Sequence, residues 1–138
     1  MISKTFSIIQ KELKRQQTTL DLIPSENIAS PAVLKALGSV FTNRYAEGYP
    51  MRRYYPGNNF SDELELYAQA LVKKVFKLDD TYAVNVQPYS GSPANLAVYL
   101  ALLGIGDPLM GLELASGGHL THGHKVSATG KLFTPVRY

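Results

Sequence analysis

The sequence predicts an α/β fold with a mainly parallel sheet, on three observations. Strand, glycine turn, helix and strand patterns follow one another between Tyr82 and Leu114, within the roughly 30 residues that a βαβ unit needs. An amphipathic helix precedes that unit, with apolar residues at helical spacing from Leu64 to Val75. Finally, 45% hydrophobic and 18% charged residues over 138 positions is a globular composition, in a chain long enough to bury roughly two-thirds of its unfolded surface.

From the N-terminus, Lys4 to Gln17 carries Phe6, Ile9 and Leu13 among lysines and glutamines, which predicts a peripheral helix. Asp21 to Asn27 is turn-rich. Ser30 can cap and Pro31 fill the first position of a short helix running to about Gly38, because neither residue loses a needed donor there. Between Asn43 and Asn59, four tyrosines, three arginines, two prolines and two glycines fit no regular period, which predicts a structured loop. Ser61 is expected to cap the amphipathic helix. Asp62 and Glu63 open it, Lys73, Lys74 and Lys77 close it in accord with the helix dipole, and Leu64, Ala68, Leu71 and Val75 line its apolar face.

Tyr82 to Val86 then reads as a buried strand, Gln87 to Ser92 as a tight turn, and Pro93 to Leu103 as an apolar helix ended by Gly104. Leu109 to Leu114 reads as the next strand. Lys131 to Tyr138 has no terminating pattern and is expected to lead into further chain. No internal repeat occurs.

The absence of cysteine excludes disulfides, thiolate metal sites and cysteine nucleophiles. The net charge of +3 comes from scattered basic residues, which argues against nucleic acid as a partner. No apolar run reaches 18 residues, and Met1 to Leu22 has lysine and glutamine where a signal peptide needs an apolar core. A soluble, cytoplasmic chain without a membrane partner is expected.

Three constellations can carry chemistry. Ser90-Gly91-Ser92-Pro93 joins a predicted strand to a predicted helix, where free N–H groups, the helix dipole and two hydroxyls converge. That suits an anion, although Pro93 removes one donor, and a plain capped turn is the alternative. Arg44 to Pro50 with Arg52 to Tyr55 sets Glu47 among phenols and guanidiniums, an environment that can tune a carboxyl for proton transfer. The same composition suits an oligomer interface. All three histidines lie between Gly117 and His124; His119 and His122 are three apart, but flanking glycines and the lack of further ligands favour ordinary hydrogen bonding over a metal site.

These segments, in this order, resemble the serine hydroxymethyltransferases. The resemblance is carried by Leu22 to Asn27, Asn43 to Pro50, Arg53-Tyr54-Tyr55, Asn85 to Pro88, Ser90-Gly91-Ser92 with Ala94-Asn95, Gly106-Asp107, Leu114 with Gly117 to Gly123, and Gly130 to Phe133. It runs from Asp21 onward.

The resemblance implies the N-terminal part of the aminotransferase-like, fold type I pyridoxal-phosphate transferase fold, with residues 1–20 as an arm helix and 21–138 as the N-terminal part of the large domain. It implies interconversion of serine and glycine, with pyridoxal 5'-phosphate as cofactor and tetrahydrofolate as co-substrate. Ser90, Gly91 and Ser92 would hold the cofactor phosphate and His119 would stack on its ring. Ser25 would contact the substrate carboxylate, and Glu47 would transfer protons at the hydroxymethyl group. Tyr45 and Tyr55 would reach the active site of a neighbouring subunit in a homo-oligomer. Leu114, Gly118, His119 and Leu120 would border the folate.

Pro24, Pro56, Tyr89 and Ser116 depart from the usual family residues. The family's cofactor-anchoring lysine is expected beyond Tyr138, because Lys125, although it follows His124, stands well before that segment. The isolated chain is therefore expected to be inactive, to need a complementary C-terminal piece, and to expose a sheet edge and an apolar face. A non-catalytic module pairing with a full-length relative is the rival reading.

Overall fold

The structure, a computed structural model, describes residues 2–138, so Met1 of the expected arm lies outside it. The chain divides into two compact units, residues 1–45 and 46–138.

In the first unit, helix α1 spans Ile2–Thr18 and α2 spans Pro31–Leu37, both where the sequence pattern put them. Ser30 is the N-cap of α2, accepting from the Val33 N–H at 3.3 Å, with Pro31 at the first helical position. A 3-10 turn, Val40–Asn43, follows.

The second unit opens with a hairpin of β1 (Gly48–Tyr49) and β2 (Arg52–Arg53), antiparallel with Gly48 opposite Arg53. Pro50 leads its turn and Met51, at φ 62°, completes it in the left-handed region, the pattern of a type II turn. A Cβ at Gly48 would stand 2.4 Å from the Arg52 carbonyl oxygen, so glycine is required there.

Helix α3 spans Asn59–Phe76 and begins earlier than expected. Asn58, buried to 3% exposure, occupies the N-cap position, and Ser61 lies in the first turn, donating from its hydroxyl to Asn58 Oδ1 at 3.3 Å. Ser61 is therefore not the cap. The helix closes at Lys77, in the left-handed conformation, with the Leu78 N–H returning to the Lys73 carbonyl at 2.9 Å. Of the expected apolar face, Leu64, Leu71 and Val75 are exposed and Ala68 is half-buried, and the other half-buried positions of the helix are Ser61, Asp62, Glu65, Gln69, Val72 and Lys73.

Helix α4 spans Gly91–Leu102, so Gly91 and Ser92 belong to its first turn and not to a preceding loop. Tyr82 to Val86 is not a strand. Among the described residues no neighbour completes a ladder with it, and extended backbone becomes sheet only when its N–H and C=O groups are paired by one. The expected strand at Leu109–Leu114 is shorter: β3 spans Pro108–Gly111, and Leu114–Ser116 turns into a 3-10 helix.

The partner of β3 comes from the C-terminal segment that the sequence reading left without structure. Helix α5 (Ala128–Leu132) leads into β4 (Thr134–Arg137), which pairs with β3 in parallel, Leu109 opposite Pro135 and Gly111 opposite Arg137. The parallel pair of an α/β fold is thus present, one step later in the chain than predicted. Leu109, within β3, and Phe133, just before β4, are the buried apolar residues among those described. No helix of the described residues is long and apolar enough to cross a membrane.

Candidate functional site

Glu47, at the entrance of the hairpin, is exposed, and its backbone is held from several sides. The Tyr54 N–H donates to the Glu47 carbonyl at 3.2 Å. Arg53 donates from one terminal nitrogen to the carbonyls of Ala46 (2.8 Å) and Gly48 (2.7 Å), from Nε to Asp62 (2.7 Å), and from its other terminal nitrogen to Glu65 (2.7 Å). Its side chain is only 6% exposed. Burial alone would lower the Arg53 pKa, but hydrogen bonds to Glu65 and Asp62 outweigh it and raise the value. Asp62 is held below its usual range by the bond from Arg53 and by the Met51 N–H, which donates to it at 3.0 Å.

Gln87 adds a second tie, donating from Nε2 to the Gly48 carbonyl at 2.8 Å and to Glu65 Oε1 at 2.9 Å. Beside this cluster lies a pocket of about 440 Å³ lined by Met51, Arg53, Tyr55, Pro56, Asn58 and Asp62, among others. Tyr55, a predicted site residue, is on its wall.

The second cluster begins at the N-terminus of α4. Ser90 makes no side-chain cap, so the first-turn N–H groups of Gly91 and Ser92 are not taken by it. An added Cβ at Gly91 meets nothing within 4 Å, which leaves open space against the backbone. Pro93 is the third residue of the helix and contributes no donor. The arrangement retains two backbone donors and two hydroxyls for an anion.

From the same helix, Asn95 donates to the Thr121 hydroxyl at 2.8 Å, and that hydroxyl bonds His119 Nδ1 at 2.6 Å. The Thr121 N–H also donates to His119 Nδ1, at 3.2 Å. A nitrogen accepting from an amide carries no proton itself, so neutral His119 bears its proton on Nε2. His122 bonds the Tyr99 hydroxyl through Nδ1, and the His119 and His122 rings meet edge to face at 5.8 Å. Among the described residues no three His, Cys, Asp or Glu side chains gather as metal ligands do.

The histidine loop is fastened beneath. Thr129, 2% exposed, donates to the Thr121 carbonyl (2.8 Å) and accepts from the Gly123 N–H (3.0 Å). Arg137 donates to the carbonyls of His122 (2.8 Å) and Gly123. Gly118 is obligatory, since its Cβ would fall 2.0 Å from the Leu112 carbonyl oxygen. Leu114 and Leu120 remain partly exposed on this loop, at 41% and 42%.

In the first unit, Ser25 sits in a turn closed by the Glu26 N–H to the Ile23 carbonyl at 3.1 Å. Glu26 is raised above the usual carboxyl value by its hydrogen bond to Asp21 and by repulsion from that charge. Tyr45 is exposed.

The structure places the predicted residues Glu47 and Tyr55 near one cluster and Ser90 to Ser92 and His119 near another, and adds side chains to which the sequence reading gave no role: Arg53, Gln87, Asn95, Thr121, Thr129 and Arg137. Arg53, Gln87, Asn95 and Thr121 lie inside the motifs that carry the resemblance, and that proximity was the available signal. Arg137 had none.

Residues 2–138 match the family model described as serine hydroxymethyltransferase. The serine hydroxymethyltransferase of Acidothermus cellulolyticus is 56% identical over 131 residues, 95% of this chain and 30% of that protein. That of Novosphingobium aromaticivorans is 56% identical over 136 residues, 99% of this chain and 30% of the relative. That of Orientia tsutsugamushi is 54% identical over 138 residues, 100% and 32% respectively. The chain spans about 30% of the length of these curated relatives.

Proposed function

Since the chain belongs to the serine hydroxymethyltransferase family, we propose that it furnishes the phosphate-holding, ring-covering and proton-transfer groups of an enzyme that interconverts serine and glycine with tetrahydrofolate as the one-carbon carrier. The same reading assigns residues 1–20 to an arm, 21–138 to the N-terminal part of a fold type I large domain, and the active site to a homo-oligomer interface. The parallel β3–β4 pair and α1 agree with it.

The residues present fit the cofactor. Gly91 leaves open space beside two first-turn N–H groups, and the Ser90 and Ser92 hydroxyls flank them, which suits a phosphate. When bound, pyridoxal phosphate supplies the electron sink for chemistry at the α-carbon of the amino acid. Ser90, Gly91 and Ser92 orient the phosphate. His119 covers the ring, with Nδ1 turned to Thr121 and its orientation thereby set. Glu47 holds or releases a proton at the hydroxymethyl oxygen, and Ser25 and Tyr55 bind the amino acid, Tyr55 and Tyr45 acting in the neighbouring subunit's site. Leu114, Gly118 and Leu120 border the folate. The remaining two-thirds of the family's length supplies the cofactor-anchoring lysine.

The observation that carries this reading is the unbroken run of bonds from α4 through Asn95 and Thr121 to His119. One helix presents the phosphate donors at its first turn and fixes the ring-covering histidine from its second. The test is to combine the chain with the C-terminal two-thirds of a relative and pyridoxal phosphate, and to follow tetrahydrofolate-dependent cleavage of serine. Activity that needs both pieces is the expected result. Binding to an intact relative with no gain of activity would instead favour a non-catalytic module.

A further inference from the structure

We infer that Arg53 is the positioning residue for Glu47: its guanidinium, seconded by Gln87, sets the backbone from which that carboxylate is presented. The inference rests on reading Glu47 as the proton-transfer group and adds how the group is held.

A guanidinium that only fastened the hairpin to α3 would need one carboxylate. Arg53 has two, Asp62 and Glu65, one helical turn apart on α3, and both side chains are nearly as covered as its own. The nitrogen not used by either carboxylate donates to the carbonyls of Ala46 and Gly48, the residues on either side of Glu47. The carbonyl between them is held by the Tyr54 N–H. All three successive carbonyls around Glu47 are thus bound, two of them by one side chain that is itself locked onto a helix.

Gln87 repeats the design on a smaller scale, joining the Gly48 carbonyl to Glu65. The planar fork matters, because Arg offers five donors in fixed directions and Lys three on a single nitrogen. Arg53→Lys would keep the positive charge between Asp62 and Glu65 but could not also span both carbonyls.

The experiment uses the enzyme assembled from this chain and its complement, in wild-type, Arg53→Lys, Gln87→Met and Glu47→Gln forms. Hydrogen exchange of the amides from Glu47 to Tyr54 is read alongside kcat and KM for serine. In Arg53→Lys, exchange is expected to accelerate in Glu47–Tyr54 and not in α4. Its kcat should fall on the order of 10- to 100-fold, with KM within about twofold. Gln87→Met, which leaves both ion pairs intact, should loosen the same segment and lower kcat about two- to tenfold. Glu47→Gln should abolish turnover with normal exchange.

Wild-type exchange across Glu47–Tyr54 in Arg53→Lys would overturn the inference, as would acceleration spread evenly through α3 and α4. If the wild-type assembly fails to turn over, the functional reading falls, and the exchange data still decide whether Arg53 sets the Glu47 backbone.

Discussion

The hairpin with α3 and the histidine loop over β3–β4 each present one candidate functional side chain, by opposite means. Around Glu47 the hub is ionic, a nearly buried guanidinium between two carboxylates that also gathers backbone carbonyls. Around His119 the inner hub is neutral, with Thr121 and Thr129 hydroxyls bonding the loop while Gly118 and Gly130 let backbone segments approach where no Cβ fits. A charged hub reaches many acceptors from one side chain but depends on ionisation. A hydroxyl and glycine hub needs no ion pair but is intolerant of added atoms.

The largest expected effect tests that intolerance. Gly118→Ala would force a methyl to 2.0 Å from the Leu112 carbonyl oxygen, and should destabilise the fold by about 3 kcal/mol, seen in thermal denaturation of the assembled enzyme. Gly91→Ala, with open space at its Cβ, is the control and should melt close to wild type when both are compared without cofactor.

A smaller effect is expected from Thr129→Val, which keeps the shape but strands the Gly123 N–H and the Thr121 carbonyl. A loss of about 1–3 kcal/mol is expected, with faster exchange at Gly123. An unchanged melt would mean that Arg137 alone fastens the loop.

The smallest effect separates the hubs by pH. Asp62 has its pKa lowered on folding, so its contribution is present above the ordinary value of 3.8 and is lost as pH falls through the lower folded value. As pH falls below 3.8 through that lower value, hairpin amides such as Met51 should lose protection before Gly123, whose acceptor is a hydroxyl. Simultaneous loss would show that the two regions unfold as one.

Much of this was legible in advance, and the limits follow the range of the interactions. Helices α1, α2, α3 and α4 were readable, to within about a turn, because their bonds run between residues four apart and their caps lie at fixed offsets. The motifs that contain Glu47 and His119 were readable because they are contiguous strings. The apolar stripe of α3 did not tell which side of the helix is covered. The hairpin draws Asp62 and Glu65 inward, and only the position of Arg53 dictates that.

By itself, then, the sequence determined the helices, the motif strings and through them the family. Tertiary structure alone decided that β3 pairs with β4 and not with residues 82–86, that Gln87 reaches a carbonyl 39 positions away, and that Asn95 meets Thr121 across 26. The physical reason is that a strand or a polar side chain carries its bonding capacity in the sequence but not the address of its partner. That address exists only once distant segments have been brought together.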